Sequence, residues 1–311
     1  MRKVLPLFMG LSFVCCSASD TTELADLPGG GQAISLLGDT LYHTPAPPEV
    51  LQRQQEQLAE AMANHEADPH DADALIWLGR RQAYPGDYRQ AIRTFTQGIE
   101  MHPDDARMYR HRGHRYITLR MFDEAIADFQ RAVELTTGKE DEVEPDGQPN
   151  ALNIPTSTLQ FNIWYHLGLA HYLKGDFASA LDAYDQCMNV SSNPDAQAAT
   201  SHWKYMTLRR LGRDSEAAVV LEPIDAEMEI IENDAYHQLL LMYKGDVSAD
   251  SVLGPEADAV QSATVAYGVG NWYYYNGNEA RAMEIFRDIL AGQGWAAFGY
   301  IAAEAELARQ Q

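Results

Sequence analysis

The sequence of 311 residues predicts an all-α solenoid of about five helix-turn-helix repeats, with a capping helix at each end. One observation is a pattern that occurs twice at an interval of 34 residues, in the pairs Gly79 and Gly113, Ala91 and Ala125, and Phe95 and Phe129. A fixed period of this length is typical of stacked helical repeats. The other observation is that the small and apolar residues within each copy have the spacing of helix faces.

Within the first copy, each residue type has a physical role. Gly79 and Ala91 are small, so the two helices of a pair can approach closely, and Phe95 fills the space between them. Gly86 supplies the tight turn between the helices, and Pro103 ends the second helix. One such helix pair cannot bury its own apolar face, so it needs neighbouring pairs.

A further copy has the most complete pattern, with Trp164, Leu167, Gly168, Gly175, Asp176, Phe177, Ala180 and Tyr184. These residues stand in order at the signature positions of the tetratricopeptide repeat family, which the chain resembles. The resemblance implies antiparallel helix pairs, a right-handed superhelix and a concave surface lined by the first helix of each pair. It also implies a scaffold that binds other proteins, but such a fold does not fix the partner.

The predicted solenoid occupies residues 48–311. A flexible tether at residues 20–47, which contains three consecutive glycines, is expected to precede it. An acidic insertion at residues 140–146 follows the second repeat and is expected to form a loop. The first capping helix, the five repeats and the closing helix are expected at residues 48–66, 72–105, 106–139, 161–194, 198–231, 263–296 and 295–309.

The first 19 residues predict a signal peptide. Arg2 and Lys3 precede an apolar stretch at residues 4–14, which is too short to span a bilayer. The chain is therefore expected to be exported, either to the periplasm or to an envelope membrane as a lipoprotein.

Two kinds of processing of this leader remain open. A signal peptidase could cut after Ala18 or Ser19, where small residues stand at suitable places. Alternatively, Cys15 or Cys16 could carry a lipid, as in bacterial lipoproteins, and this lipid would be the chain's link to a membrane. Because Cys187 is the one cysteine beyond the leader, no internal disulfide is expected.

Composition and motifs exclude several classes of function. A net charge of −22 argues against nucleic acid as a partner. After the leader there is no apolar run long enough for a membrane-spanning helix. No motif for a catalytic serine, a phosphate-binding loop or a cysteine pair is present, so the sequence predicts neither an enzyme nor a cofactor. His111 and His114 are spaced for a shared metal, but the neighbouring arginines would repel a cation.

Repeat two contains the clearest candidate for a binding site. Its first helix is predicted to carry five arginines and no acidic residue: Arg107, Arg110, Arg112, Arg115 and Arg120. The resemblance to the family places part of this set on the concave groove, with residues of the adjoining repeats: Arg80, Tyr84, Arg107, Arg110, His114, Asn162 and Tyr165. In repeat five, the resemblance assigns to Asn271 a contact with the backbone of a bound peptide.

Arginine binds carboxylates through two hydrogen bonds and stacks on aromatic rings, so the predicted groove suits an acidic peptide or a C-terminal carboxylate. A second interpretation is that the acidic insertion folds back and neutralises the arginines, and a third is that it forms a lid which a ligand displaces. Two other functions remain open. The chain could carry an anionic small molecule in a groove closed by residues 233–262, or it could be a structural module that self-associates.

Overall fold

A computed structural model describes residues 24–44, 46–253 and 259–311. A short 3-10 helix at Pro28–Gly30 is followed by two strands, β1 at Ala33–Ile34 and β2 at Thr40–Leu41. The helices are α1 Pro48–Ala67, α2 Ala72–Ala83, α3 Tyr88–Met101, α4 Ala106–Thr118, α5 Phe122–Thr136, α6 Leu159–Lys174, α7 Phe177–Val190, α8 Pro194–Arg210, α9 Asp214–Leu221, α10 Asp234–Lys244, α11 Ala249–Val252, α12 Ala259–Tyr275, α13 Glu279–Leu290 and α14 Phe298–Ala308.

Helices pack as successive antiparallel pairs, α2 with α3, α4 with α5, α6 with α7, α8 with α9 and α12 with α13. Each pair also packs against the next one, as in a solenoid. The close approach depends on glycine: a Cβ atom on Gly79 would lie 2.5 Å from the Phe95 ring, and one on Gly113 would lie 2.9 Å from the Phe129 ring. The prediction of an all-α solenoid of repeated helix pairs with capping helices is confirmed.

The turn inside each of the five pairs uses a left-handed residue, and in three of the pairs a polar cap follows it. Gly86 and Gly175 have φ angles of +96° and +84°, which glycine adopts without steric cost. The next residues, Asp87 and Asp176, accept hydrogen bonds from backbone N–H groups of the second helix. This local chemistry explains where the first helix of these pairs ends and where the second helix begins.

Helix α10 lies between α8 and α12 and lacks a long partner helix. Its residues Leu239 and Leu240 are fully buried. The segment at residues 233–244 therefore belongs to the stacked helices, and the hypothesis that residues 233–262 close a groove around a small molecule stays a prediction. Helix α9 ends at Leu221, two residues before Pro223, which cannot continue a helix.

Residues 24–44 are packed against the solenoid, whereas the sequence predicted a flexible tether over residues 20–47. Ala33 is buried, and the backbone N–H of Leu36 donates to Glu304 Oε1 at 2.7 Å. Trp295 Nε1 donates to the carbonyl oxygen of Tyr42 at 2.7 Å. Arg89 of α3 is also buried and donates to the carbonyl oxygen of Gln32 at 2.9 Å. Because these contacts join residues 24–44 to distant parts of the chain, the local glycine-rich composition could not predict them.

Helix α14 was predicted only to cover repeat five, from Trp295 onward. It begins at Phe298, and its side chains contact the first helix of several pairs. Phe298 packs on His114 of α4 and His166 of α6, with ring centroids 5.3 and 5.6 Å apart. Glu306 pairs with Arg210 of α8 at 2.7 Å. The C-terminal helix therefore occupies much of the face that the first helices present.

None of the described helices is both long and apolar enough to cross a membrane. Cys187 is buried as a free thiol, and burial raises its pKa to about 12, so it is an unreactive core residue. The leader, including Cys15 and Cys16, lies outside the described residues, and its processing stays a prediction.

Candidate functional site

Three of the five arginines of repeat two pair with acidic residues outside the acidic insertion. Arg107 pairs with Asp105 at 2.6 Å and with Asp73 at 2.7 Å, and its side chain is partly exposed. Arg112 forms a bidentate ion pair with Asp128 of α5. These pairs neutralise guanidinium groups that the sequence had assigned to a groove or left unassigned.

Arg120 lies beyond the end of α4, in the turn before α5, with φ +64°. Its guanidinium group contacts Glu304 of α14 at 2.7 Å, and both side chains are buried. Arg120 is therefore a structural link between the second repeat and the C-terminal helix, and it does not belong to a concave binding surface.

The remaining arginines converge on a cavity between α2 and α4, which we name the arginine site. The cavity has a volume of about 110 Å³. Four of the predicted residues line it, together with residues that were not predicted: Arg80, Tyr84, Arg110 and His114, with Ala83, Phe95, His111, Arg115 and Glu144. The structure thus brings the core of the predicted site together.

Arg110 is the most enclosed charge of the site. Its Nε lies 2.8 Å from Glu144 Oε2, although the two groups are not aligned as a hydrogen bond. Its Nη1 lies 3.2 Å from His111 Nδ1 and 3.3 Å from His114 Nδ1. A guanidinium group can only donate, so both imidazole Nδ1 atoms are acceptors, which places the ring hydrogens on Nε2.

Burial and the surrounding arginines decide which groups are charged. Burial, and then the positive charges of Arg110 and its neighbours, hold the pKa of His111 well below its usual range. Burial and Arg115 do the same for the pKa of His114. Burial also lowers the pKa of Arg115 to about 10, which still leaves its guanidinium group charged at neutral pH. The imidazoles are therefore neutral, and the arginines supply the positive charge.

The insertion between repeats two and three crosses the site. We name residues 139–158 the acidic lid. The backbone N–H of Glu144 donates to the carbonyl oxygen of Ser157 at 3.2 Å, so the lid folds as a hairpin-like loop. Arg81 of α2 donates to the carbonyl oxygen of Gly147 at 2.9 Å. A Cβ atom on Gly147 would lie 1.6 Å from Tyr84 Oη, so a larger residue there would require either the Tyr84 side chain or the lid to move.

The far end of the acidic lid is attached to later repeats. Thr156 Oγ1 donates to Glu232 at 2.6 Å, and Asn193 Nδ2 donates to the carbonyl oxygen of Thr156 at 2.9 Å. In contrast, the lid's large apolar residues Val143 and Leu152 are 58% and 63% exposed. Polar contacts therefore hold the lid, with little apolar burial.

Asn162, Tyr165 and Asn271 are buried, whereas the sequence predicted that they face a groove. Asn162 Nδ2 donates to Ser157 Oγ of the acidic lid at 3.1 Å. The hydroxyl group of Tyr165 contacts Tyr236 of α10 at 2.9 Å.

Asn271 Nδ2 donates to the hydroxyl group of Tyr172 at 2.9 Å, and its Oδ1 accepts from Arg210. Helices α10 and α14, which cover the first helices of repeats three to five, explain why these residues are enclosed. Ligand binding by any of the predicted residues stays a prediction.

Sequence reasoning missed Arg115, Glu144 and Gly147 as individual members of the site. Arg115 and the acidic insertion had been noted, but contacts across the fold decide which of their side chains meet. No metal-ligating cluster of three or more residues is found in the described ranges 24–44, 46–253 and 259–311.

The fold and the site together define a helical-repeat protein with a basic pocket and an acidic covering loop. Family models of the tetratricopeptide repeat match residues 78–140 and 161–194. These two stretches of the chain therefore contain tetratricopeptide repeats, as the resemblance of their sequence implied. Proteins with this repeat generally mediate protein–protein interactions or act as scaffolds, and the repeat itself is generally non-catalytic.

Solved structures with a similar arrangement include a tetratricopeptide repeat protein from Parabacteroides merdae, which is 15% identical, with a TM-score of 0.48 over 81% of this chain and 90% of that chain. Another is YrrB, described as a tetratricopeptide repeat protein with an unusual peptide-binding site, which is 17% identical, with a TM-score of 0.43 over 76% of this chain and 95% of that chain. At this level of similarity, neither structure identifies a ligand for this chain.

Proposed function

We propose that this chain is a non-enzymatic scaffold that binds an acidic protein segment at the arginine site. The observation that carries the proposal is that a segment of the chain itself, the acidic lid, already lies there. Glu144 contacts Arg110, and the backbone at Gly147 packs on Tyr84 and accepts a hydrogen bond from Arg81. An acidic peptide from a partner would use the same guanidinium groups and aromatic ring.

The way in which the acidic lid is held supports displacement by a partner. Val143, Leu152 and Ile154 are largely exposed, so opening of the lid would expose little additional apolar surface to water. The polar contacts of the lid can be replaced by contacts with water, because its outer residues are already solvated. A segment with these properties can open without unfolding the helices beneath it.

A synthetic peptide provides a direct test, because its sequence can be taken from the chain. We would label a peptide that matches residues 140–150 and measure its binding to the full chain by fluorescence anisotropy. Replacing Arg110 by glutamine is expected to weaken binding by roughly 2–5 kcal/mol, since Arg110 is a buried partner of the carboxylate. Arg93→Gln is the matched control, because Arg93 lies on the surface and pairs with Asp26 at 3.3 Å.

Each outcome of the peptide experiment has a clear meaning. Binding that is lost in Arg110→Gln and kept in Arg93→Gln supports the arginine site as the docking point. Equal binding by the two variants would place any peptide contact elsewhere. Complete absence of binding, also in a variant whose lid is dislodged, would support the interpretation that Glu144 only neutralises Arg110.

We also propose that the chain is exported and held at an envelope membrane by a lipid on Cys15 or Cys16. The charged and apolar pattern of the leader supports this proposal. Metabolic labelling with a fatty acid should mark the full chain and should fail after Cys15→Ser and Cys16→Ser substitution together. An unlabelled mature chain that begins after Ala18 or Ser19 would instead show simple secretion.

A further inference from the structure

We propose that the arginine site holds a small oxyanion, such as inorganic phosphate or a carboxylate, between Arg80, Arg110 and Arg115 while Glu144 stays in place. This proposal goes beyond peptide docking, because it assigns a ligand to the cavity beneath the closed acidic lid. The cavity has about 110 Å³ of space, several times the minimum for a water molecule.

The charge balance of the cavity is the first argument. Three guanidinium groups line it, and Glu144 is the one carboxylate among its lining residues. His111 and His114 are neutral, so they change neither the positive nor the negative charge of the cavity. Taking charges out of water is costly unless an opposite charge compensates them. Positive charge in the cavity therefore exceeds negative charge, and an anion would restore the balance.

The surroundings of Arg115 give a second reason to expect an anion in the cavity. Within the described part of the chain it has no ion pair and no side-chain hydrogen bond. Its guanidinium carbon lies 5.6 Å from the centre of the Tyr88 ring. Burial lowers the pKa of Arg115, and the positive charges of Arg110 and Arg80 act in the same direction. Its in-plane N–H groups are therefore available to an acceptor in the cavity.

Arg80 has a similar arrangement. Its guanidinium group stacks on the Trp77 ring at 4.4 Å, and no carboxylate in the described ranges pairs with it. Stacking uses the face of the guanidinium plane and leaves the N–H groups at its edge free to donate. Arg80 and Arg115 thus approach the cavity from two helices, and each is oriented by an aromatic ring.

Arg110 and Glu144 provide the third argument. Arg110 Nε and Glu144 Oε2 are both buried and lack a hydrogen-bond partner, although they are only 2.8 Å apart. Glu144 therefore compensates the charge of Arg110 without accepting an aligned hydrogen bond from its Nε. Ala83 and Phe95 form apolar walls, which weaken competition from water and strengthen charge-assisted hydrogen bonds to a bound oxyanion.

The test uses the full chain in a buffer free of phosphate and carboxylates. Sodium phosphate would be added at constant ionic strength, with chloride as the balancing anion, and the melting temperature would be followed. A specific site predicts a saturable rise in Tm. Arg115→Gln is expected to weaken phosphate binding by about tenfold or more, because a charge-assisted contact is lost, whereas Arg93→Gln keeps the response.

A second readout separates an anion site from a structural arginine. In phosphate-free buffer, Arg115→Gln should melt at the same temperature as the wild type or higher, since an uncompensated charge has been removed. A Glu144→Gln variant should bind phosphate more tightly, because a competing negative charge is gone. A parallel titration with acetate distinguishes a site that prefers carboxylates from one that prefers tetrahedral anions.

The proposal is overturned if neither phosphate nor acetate gives a saturable rise, or if Arg115→Gln and Arg93→Gln respond alike. A lower Tm of Arg115→Gln in phosphate-free buffer would also contradict it, because Arg115 would then have a stabilising role of its own. Peptide binding is measured separately, so the two proposals can succeed or fail independently.

Discussion

Arg120 shows how one residue departs from the repeat pattern for a structural reason. It stands 34 residues after Gly86, at the turn position where the first repeat has a left-handed glycine, and its φ is +64°. A residue other than glycine in this conformation carries strain of about 1 kcal/mol or more. The contact of its guanidinium group with buried Glu304 compensates for that strain.

Arg120→Gly is therefore expected to destabilise the chain, although it relieves backbone strain. Loss of the arginine leaves Glu304 buried without a counter-charge, which costs roughly 3–5 kcal/mol and exceeds the strain that is relieved. The free energy of unfolding, measured in urea, should fall accordingly. A double variant with Glu304→Gln should recover much of the loss, and no recovery would show that the pair is not the main interaction.

Because of His202, we expect the stability of the chain to depend on pH. It is fully buried between Tyr236 and Tyr243, and burial lowers its pKa to about 3. The unfolded chain takes up this proton near pH 6.5, whereas the folded chain does not until about pH 3. Stability is therefore lost as the pH falls through 6.5, and lowering it from 7 to 5 should cost about 2 kcal/mol from this group alone.

The measurement is urea unfolding at the two pH values. His111 and His114, whose pKa values are also lowered by burial, act in the same direction, so the whole chain should lose more than the contribution of His202. A His202→Phe variant should have a flatter pH dependence than the wild type. An identical slope in the variant and the wild type would contradict a neutral buried His202.

Among the elements, the acidic lid has a close contact with the solenoid at Gly147, which lies against Tyr84. Gly147→Ala should dislodge the lid, because its Cβ would lie 1.6 Å from Tyr84 Oη. Removing this internal competitor should raise the affinity for the peptide of residues 140–150 by about tenfold or more, since a tethered segment competes at a high effective concentration. Gln148→Ala, at an exposed neighbouring position, is the control and should leave the affinity unchanged.

We also expect the N-terminal segment, residues 24–44, to stabilise the folded chain. Deleting residues 24–42 removes the partners of Arg89, Glu304 and Trp295, and it uncovers the surface beneath Ala33. A Tm lower by several degrees is expected, because each 1 kcal/mol corresponds to about 2–4 °C for a chain of this size. An unchanged Tm would show that the segment is a tether after all.

The limits of prediction from sequence differ between these elements. The helix pairs were predictable because their signals are local and periodic, as with Gly79 opposite Phe95. The docking of residues 24–44 and of the acidic lid was not predictable, because it depends on contacts such as Leu36 with Glu304 and Thr156 with Glu232. Such contacts join residues far apart in the chain, and no local pattern records them.

At the scale of the whole molecule, the chain covers much of its own first-helix surface. Helix α14 contacts α4, α6 and α8 through Phe298 and Glu306, and Arg309 after its end contacts α6. The acidic lid contacts Arg81 of α2 and Arg110 of α4. Four of the predicted binding residues, Arg80, Tyr84, Arg110 and His114, line one cavity, and their ligand binding stays a prediction. The extension of the predicted site to Asn162, Tyr165 and Asn271 was wrong about their exposure, because later helices enclose them.

The most direct test of the central claim, that the acidic lid yields the arginine site to an acidic partner, is hydrogen exchange of the full chain with and without the peptide of residues 140–150. Binding should speed amide exchange across residues 141–158 and leave helices α2 and α4 protected. Peptide binding with no change in exchange across the lid would contradict the claim, because the ligand would then occupy another surface while the lid stays closed.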